Sequence, residues 1–194
     1  MEQTAYQCLE FLKPSLNEYS GFLIAGYADL LLVPLLSEYL DHTKPVVGIF
    51  QASLTVALQM LAPGAKFGIL TTGKQYEGIL TESVRRFLGA ASDSSTVERL
   101  GGVAATEIKF EELGDATVVE EKVKKATRQV LQDSSISVIC LGGVLLLGVE
   151  KWVREASIEI LGEEKGKRVR VVDQLLAGMV TVDGLVRISQ ASEY

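Results

Sequence analysis

Short apolar runs of strand length recur along the chain, each followed by a segment of helical periodicity. Phe22-Leu23-Ile24-Ala25 leads into Leu30 to Leu40, and Val46-Val47-Gly48-Ile49 into Gln51 to Leu61. Phe67-Gly68-Ile69-Leu70 precedes Gly73 to Leu88, Ser137 to Leu141 precedes Val149 to Leu161, and Val169 to Val172 precedes Asp173 to Ile188. The runs are continuous rather than alternating, which marks strands buried on both faces. The expected fold class is therefore α/β, with parallel sheets flanked by helices. Ala116 to Leu131 reads as an outer helix: Val119, Val123, Ala126 and Val130 form its apolar stripe. Glu120 with Lys124 and Glu121 with Lys125 form i,i+4 pairs on its solvent side, so this helix reads as packing and solubility.

The small polar run from Gly89 to Thr96 is the best connection between lobes. Strand-helix units lie on either side of it, without a close sequence repeat. The expected division is an N-terminal α/β lobe over 1–96 and a C-terminal one over 97–194, the last helix being free to pack back on the first lobe. Length agrees: 194 residues correspond to about 1.3 average domains.

Composition narrows the class. With 47% hydrophobic and 23% charged residues, disordered and collagen-like chains are excluded. Nineteen basic against 25 acidic residues leave a net charge of −6 and no basic cluster, which argues against a nucleic-acid partner. The apolar stretch from Gly21 to Leu36 is broken by Asp29 and Pro34, and the one from Val138 to Val149 is too short to span a bilayer. The start Met1-Glu2-Gln3 lacks a basic leader, so no membrane association and a cytoplasmic location are expected. Two cysteines, Cys8 and Cys140, and the single His42 make neither a disulfide framework nor a zinc site, and no metal is expected.

In parallel α/β sheets ligands bind beyond the carboxyl ends of the strands. The residues there are Gly26-Tyr27-Ala28-Asp29, Gln51-Ala52-Ser53, Thr71-Thr72-Gly73-Lys74, Ala105-Thr106-Glu107 and Gly142-Gly143-Val144. Most of these turns open a helix, whose free N–H groups favour a carboxylate, an enolate or a polarised carbonyl oxygen.

These segments carry a resemblance. Phe22 to Tyr27, Pro45 to Ser53, Phe67 to Lys74, Ile139 to Gly143 and Val172 to Gly178 are similar, in order and spacing over nearly the whole chain, to the Asp/Glu/hydantoin racemase superfamily, nearest its fungal hydantoin-racemase-like branch. The resemblance implies two pseudo-symmetric α/β lobes and cofactor-free proton transfer by two cysteines, one from each lobe. The matching positions here are Gly26 and Gly143. Glycine carries no proton, so the resemblance implies the scaffold without the family's acid and base. Other departures follow suit: Gln51 stands for a common glutamate, Gln174 for a glycine, and Val144-Leu145-Leu146-Leu147 for a small, Cys-led turn. Three or four branched aliphatics facing a ligand favour a relatively apolar guest. The strand that normally opens the family, with its Asn-Pro-Asn-like turn, has no counterpart before Thr4. A remodelled lobe, a partner chain in the slot and a shortened product all remain open, and dimerisation would cover exposed sheet edges.

The candidates follow. Asp29, set beside Leu30 and Leu31, reads as a replacement general acid or base, or as the N-cap of the next helix. Tyr27 reads as a phenol donor in the cleft or as a rim aromatic. Gly26, Thr71, Thr72, Gly73 and Gly143 are substrate-binding candidates through hydroxyl or N–H groups, the threonines alternatively as helix caps. Gln51, Ser53, Thr106, Val144, Leu145 and Gln174 complete the candidate pocket, with Glu107 beside Thr106. Asp173 reads as a cap, Cys140 as a buried structural thiol and His42 as a solvated loop residue. The expected function is a cofactor-independent, cysteine-independent enzyme that isomerises, cyclises or decarboxylates a small molecule, with secondary metabolism implied by the resemblance and a homo-oligomer expected. The rival is a catalytically silent relative that binds a metabolite or a partner chain.

Overall fold

The computed structural model describes residues 2–89 and 99–191. They form two compact units: 1–52 with 175–194, and 53–174. The element order is α1 (Glu2–Leu12), a 3-10 segment (Lys13–Glu18), β1 (Phe22–Ile24), α2 (Leu32–Tyr39), β2 (Val46–Gly48), α3 (Ile49–Met60), β3 (Lys66–Thr71), α4 (Tyr76–Phe87), β4 (Leu100–Ala105), α5 (Ala116–Val130), β5 (Ile136–Gly142), α6 (Glu150–Leu161), α7 (Glu163–Gly166), β6 (Arg170–Val172) and α8 (Gln174–Ala191). The unit boundaries fall within α3 and at the start of α8.

The first unit holds a two-stranded parallel sheet, with Phe22 beside Val46 and Ile24 beside Gly48. Leu9 of α1, Leu16 and Leu36 of α2 form its small core, with Phe22 and Val46 packed against it. Gly178 of α8 lies where a Cβ would meet Leu23 Cδ1 at 2.7 Å and Ile49 Cγ2 at 2.9 Å. That close approach explains a glycine in the middle of a helix, where it costs about 1 kcal/mol against alanine.

The second unit carries a four-stranded parallel sheet in the order β4-β3-β5-β6. β3 and β5 are its centre, and Phe67, Ile69, Leu70, Val138, Ile139 and Leu141 are buried, as strands covered on both faces should be. On one side α5 lays Val119, Val123, Ala126 and Val130 onto a core that also contains Leu70, Ile139 and Val153. α5 starts cleanly because Asp115 Oδ1 accepts from the N–H groups of Thr117 and Val118.

β3 and α4, expected with the N-terminal half, belong to the second unit, where β3 pairs with both β4 and β5. The expected boundary at Thr96 lies outside the described residues, as does the run from Gly89 to Thr96 beyond Gly89 itself. The last helix groups with the first unit.

Candidate functional site

Register decides which candidates meet. Thr71, Ala105 and Gly142 are aligned across β4, β3 and β5. The residues that follow, Thr72, Thr106 and Gly143, therefore emerge side by side at the carboxyl edge of the second unit's sheet. A Cβ on Gly143 would lie 3.1 Å from Thr72 Cγ2, which measures the approach.

Gly143 has φ 143° and ψ 149°, a conformation almost confined to glycine. Its carbonyl accepts from Leu146 N at 2.9 Å and from Gln174 Nε2 at 2.9 Å. Gln174 is fully buried, and among the described residues its Oε1 has no hydrogen-bond donor. Past Gly143, Val144 and Leu147 are exposed, whereas Leu146 is fully buried in the core. Thr71 is buried and its carbonyl accepts from Thr106 N at 2.7 Å and Thr106 Oγ1 at 3.1 Å. The Thr106 hydroxyl thus ties β4 to β3. No threonine caps α4: its N-cap is Gln75, without a side-chain bond, and Gly73 O accepts from Tyr76 N at 3.0 Å. Thr72, Gly73, Lys74, Glu107, Lys109 and Leu145 share a cavity of about 430 Å3.

The first unit gathers its own group at the carboxyl ends of β1 and β2. Gln51 Nε2 donates to Asp29 Oδ1 at 3.3 Å, and the Tyr27 ring meets Phe50 edge-on, centroids 5.4 Å apart. Asp29 is exposed, not packed among leucines, and it does not cap α2, whose N-cap is Leu31. Gly26 has an ordinary backbone, and a Cβ there would meet only the Leu30 Cδ1 tip, at 2.5 Å.

Ser53 is fully buried, and its carbonyl lies 3.8 Å from Cys140 Sγ. Burial pushes the Cys140 thiol up to about 12, against which the weak bond to Ser53 acts only slightly. Cys140 is a structural thiol. Cys8 is half-buried on α1. His42 is exposed, with Nδ1 3.0 Å from Ser37 Oγ. Among the described residues no cluster of His, Cys, Asp and Glu could hold a metal, and no helix is long and apolar enough to cross a membrane.

Sequence reasoning missed the lysines. Lys74, Lys109, Lys122 and Lys125 converge with Glu77 and Glu107 on a second cavity of about 400 Å3, bordered by the end of β4 and by α5. The signal was the three-residue spacing of Lys122 and Lys125, which puts both on one face of α5. Lys124 does pair with Glu120, at 2.8 Å, and with Glu155 at 2.9 Å and Glu159 at 3.4 Å on α6. Among the described residues Lys125 has no such pair with Glu121.

The sequence model of the Asp/Glu/Hydantoin racemase family matches residues 1–182. The chain belongs to that family. It is 26% identical over 189 residues to an uncharacterized protein of Schizosaccharomyces pombe, covering 96% of this chain and 71% of that one. Its fold is that of allantoin racemase from Pseudomonas fluorescens, with a TM-score of 0.66 and 21% identity over 95% of this chain and 71% of that one. It is also that of glutamate racemase RacE1 from Bacillus anthracis, with a TM-score of 0.64 and 15% identity over 95% of this chain and 64% of that one. The α/β fold with parallel sheets flanked by helices, expected from the apolar runs, is the fold of these racemases.

Proposed function

We propose that this chain is an isomerase-type enzyme of its family that moves a proton or carbon dioxide at a carbon beside a carbonyl, without a thiol pair and without a cofactor. The observation that carries the reading is Gly143: the position where the resemblance expects a cysteine has a backbone that suits only glycine. Gly26, the other such position, also lacks a side chain, and Cys140 is sealed in the core.

The cavity lined by Thr72, Gly73 and Leu145 supports the kind of substrate proposed. Donors in the turn before α4 suit an oxygen on which negative charge develops, and such preorganised donors contribute about 2.7–4 kcal/mol each in other enzymes. Leu145 and Ile108 in the cavity wall suit an apolar part of the guest. In a decarboxylation the bond between the α-carbon and a carboxylate breaks, its electron pair forms the enolate, carbon dioxide leaves and a proton is added to carbon. In an isomerisation a base removes the α-proton and an acid returns it elsewhere. Asp29 and Tyr27 are the proton-transfer candidates expected from the sequence, and the Asp29 carboxylate is open to solvent and accepts from Gln51 Nε2.

The test is a proton NMR screen in D2O of 5-substituted hydantoins, α-amino acids and 2-substituted malonates. Exchange or decarboxylation by the wild type that is lost in Asp29→Asn is the expected result. No turnover, or low turnover unchanged in Asp29→Asn, would favour the silent metabolite-binding relative instead.

A further inference from the structure

We infer that the lysine-lined cavity at the end of β4 is a binding site for a phosphate-bearing small molecule, adjoining the turn proposed to hold the reacting oxygen and sharing Lys74, Glu107 and Lys109 with it. The inference is independent of any reaction assigned to the chain. Four lysines reach this cavity from three places: Lys74 after β3, Lys109 after β4, and Lys122 and Lys125 on α5. Only two carboxylates, Glu77 and Glu107, share the lining. This excess of positive charge sits in a chain whose net charge is −6. One ion pair, between Lys122 and Glu112, offsets part of it. Among the described residues Lys74, Lys109 and Lys125 have no carboxylate within ion-pair distance.

The Glu77 carboxylate is committed to structure, which leaves the Glu107 carboxylate against four lysines. Glu77 Oε1 accepts from Ala105 N at 2.9 Å and so holds the end of β4 against α4. Glu107 has a left-handed backbone, φ 56°, which a residue other than glycine adopts at a cost of about 1–2 kcal/mol. Its carbonyl accepts from Lys122 Nζ at 2.8 Å. The strained turn brings Glu107 and Lys109 into one wall, and strain of this kind collects at ligand sites.

The lining contains lysine and no arginine. Lysine binds phosphate as a compact point charge with three rotatable donors, and several lysines on one wall supply the charge that a group with many anionic oxygens takes up. No aromatic side chain lines this cavity, so nothing there would stack on a base. The ligand class is a small phosphorylated acid or sugar rather than a nucleotide. A volume of about 400 Å3 falls within the range of small-molecule sites.

The probe is inorganic pyrophosphate, titrated into the full chain at fixed ionic strength and followed by amide proton–nitrogen NMR. Citrate is the comparison anion. We expect saturable shifts confined to residues 74–77, 105–109 and 122–129, at least five-fold tighter for pyrophosphate than for citrate. Lys125→Glu should weaken binding at least five-fold. Lys125 is exposed and has no ion-pair partner among the described residues, so the variant should fold as the parent does. Lys151→Glu, the same change of charge on the exposed face of α6, should alter binding less than two-fold. Equal affinity for citrate, an equal loss in Lys151→Glu, or shifts scattered over the surface would each overturn the inference. Absence of saturable binding would also overturn it.

Discussion

Replacing Gly143 by alanine adds one methyl group at a backbone that does not suit it. With φ 143° and ψ 149°, the residue lies in a region that costs a side chain of order 1–3 kcal/mol. The backbone cannot relax freely, because the Gly143 carbonyl is held by Leu146 N and Gln174 Nε2, both at 2.9 Å. The new Cβ would also press on Thr72 Cγ2 at 3.1 Å. Gly143→Ala and Gly143→Cys should therefore both destabilise the second unit by about 1–3 kcal/mol, which lowers Tm by roughly 2–4 °C for each kcal/mol. Gly26 provides the internal control. Its backbone is ordinary and only the Leu30 tip must turn, so Gly26→Cys should cost about 0.5–1.5 kcal/mol at most. The assay is urea unfolding followed by the fluorescence of the single tryptophan, Trp152, which packs against the second unit's core. A Gly143→Cys protein as stable as its parent would refute the argument. It would mean that a sulfur is tolerated at Gly143 and that its loss was not built into the backbone.

Other outcomes follow from the same geometry. Thr106→Val removes the buried hydroxyl bond to the Thr71 carbonyl but leaves the N–H bond, so urea unfolding should show a loss of about 0.5–1.5 kcal/mol. Asp133 is held down to about 2, chiefly by its hydrogen bond from Lys66 and then by Ser135. Its ordinary value is near 4, so its contribution is complete above pH 4 and is lost as pH falls toward 2. Asp133→Asn should flatten the fall in stability over that window, measured as urea midpoint against pH. A maleimide at neutral pH should label Cys8 while the fold is intact and reach Cys140 only after denaturation, as peptide mass spectrometry will show.

The strands at the centre of the second sheet were legible because burial on both faces writes itself as an unbroken apolar run, as in Ile139-Cys140-Leu141. β4 was legible only through the turn that follows it. Its Leu100-Gly101-Gly102-Val103 stretch is glycine-rich and half-buried at a sheet edge, so it lacks a strong period. The grouping of β3 with the C-terminal strands was not legible, since strand order is set by tertiary pairing. In the candidate site, the meeting of Thr72, Thr106 and Gly143 followed from strand ends alone. The conformation of Gly143 did not, because a glycine in the sequence states a freedom and not the φ chosen. The Glu120–Lys124 pair was read correctly and the Glu121–Lys125 pair was not, because an i,i+4 pattern of opposite charge looks the same on a solvated face and on a cavity wall.

Cysteine independence is tested most directly by measuring carbon-bound hydrogen exchange in D2O for the wild type and for Cys8→Ala/Cys140→Ala, on whichever substrate of the NMR screen turns over. The account predicts equal rates for the two proteins. Exchange that vanishes with the two sulfurs would contradict it.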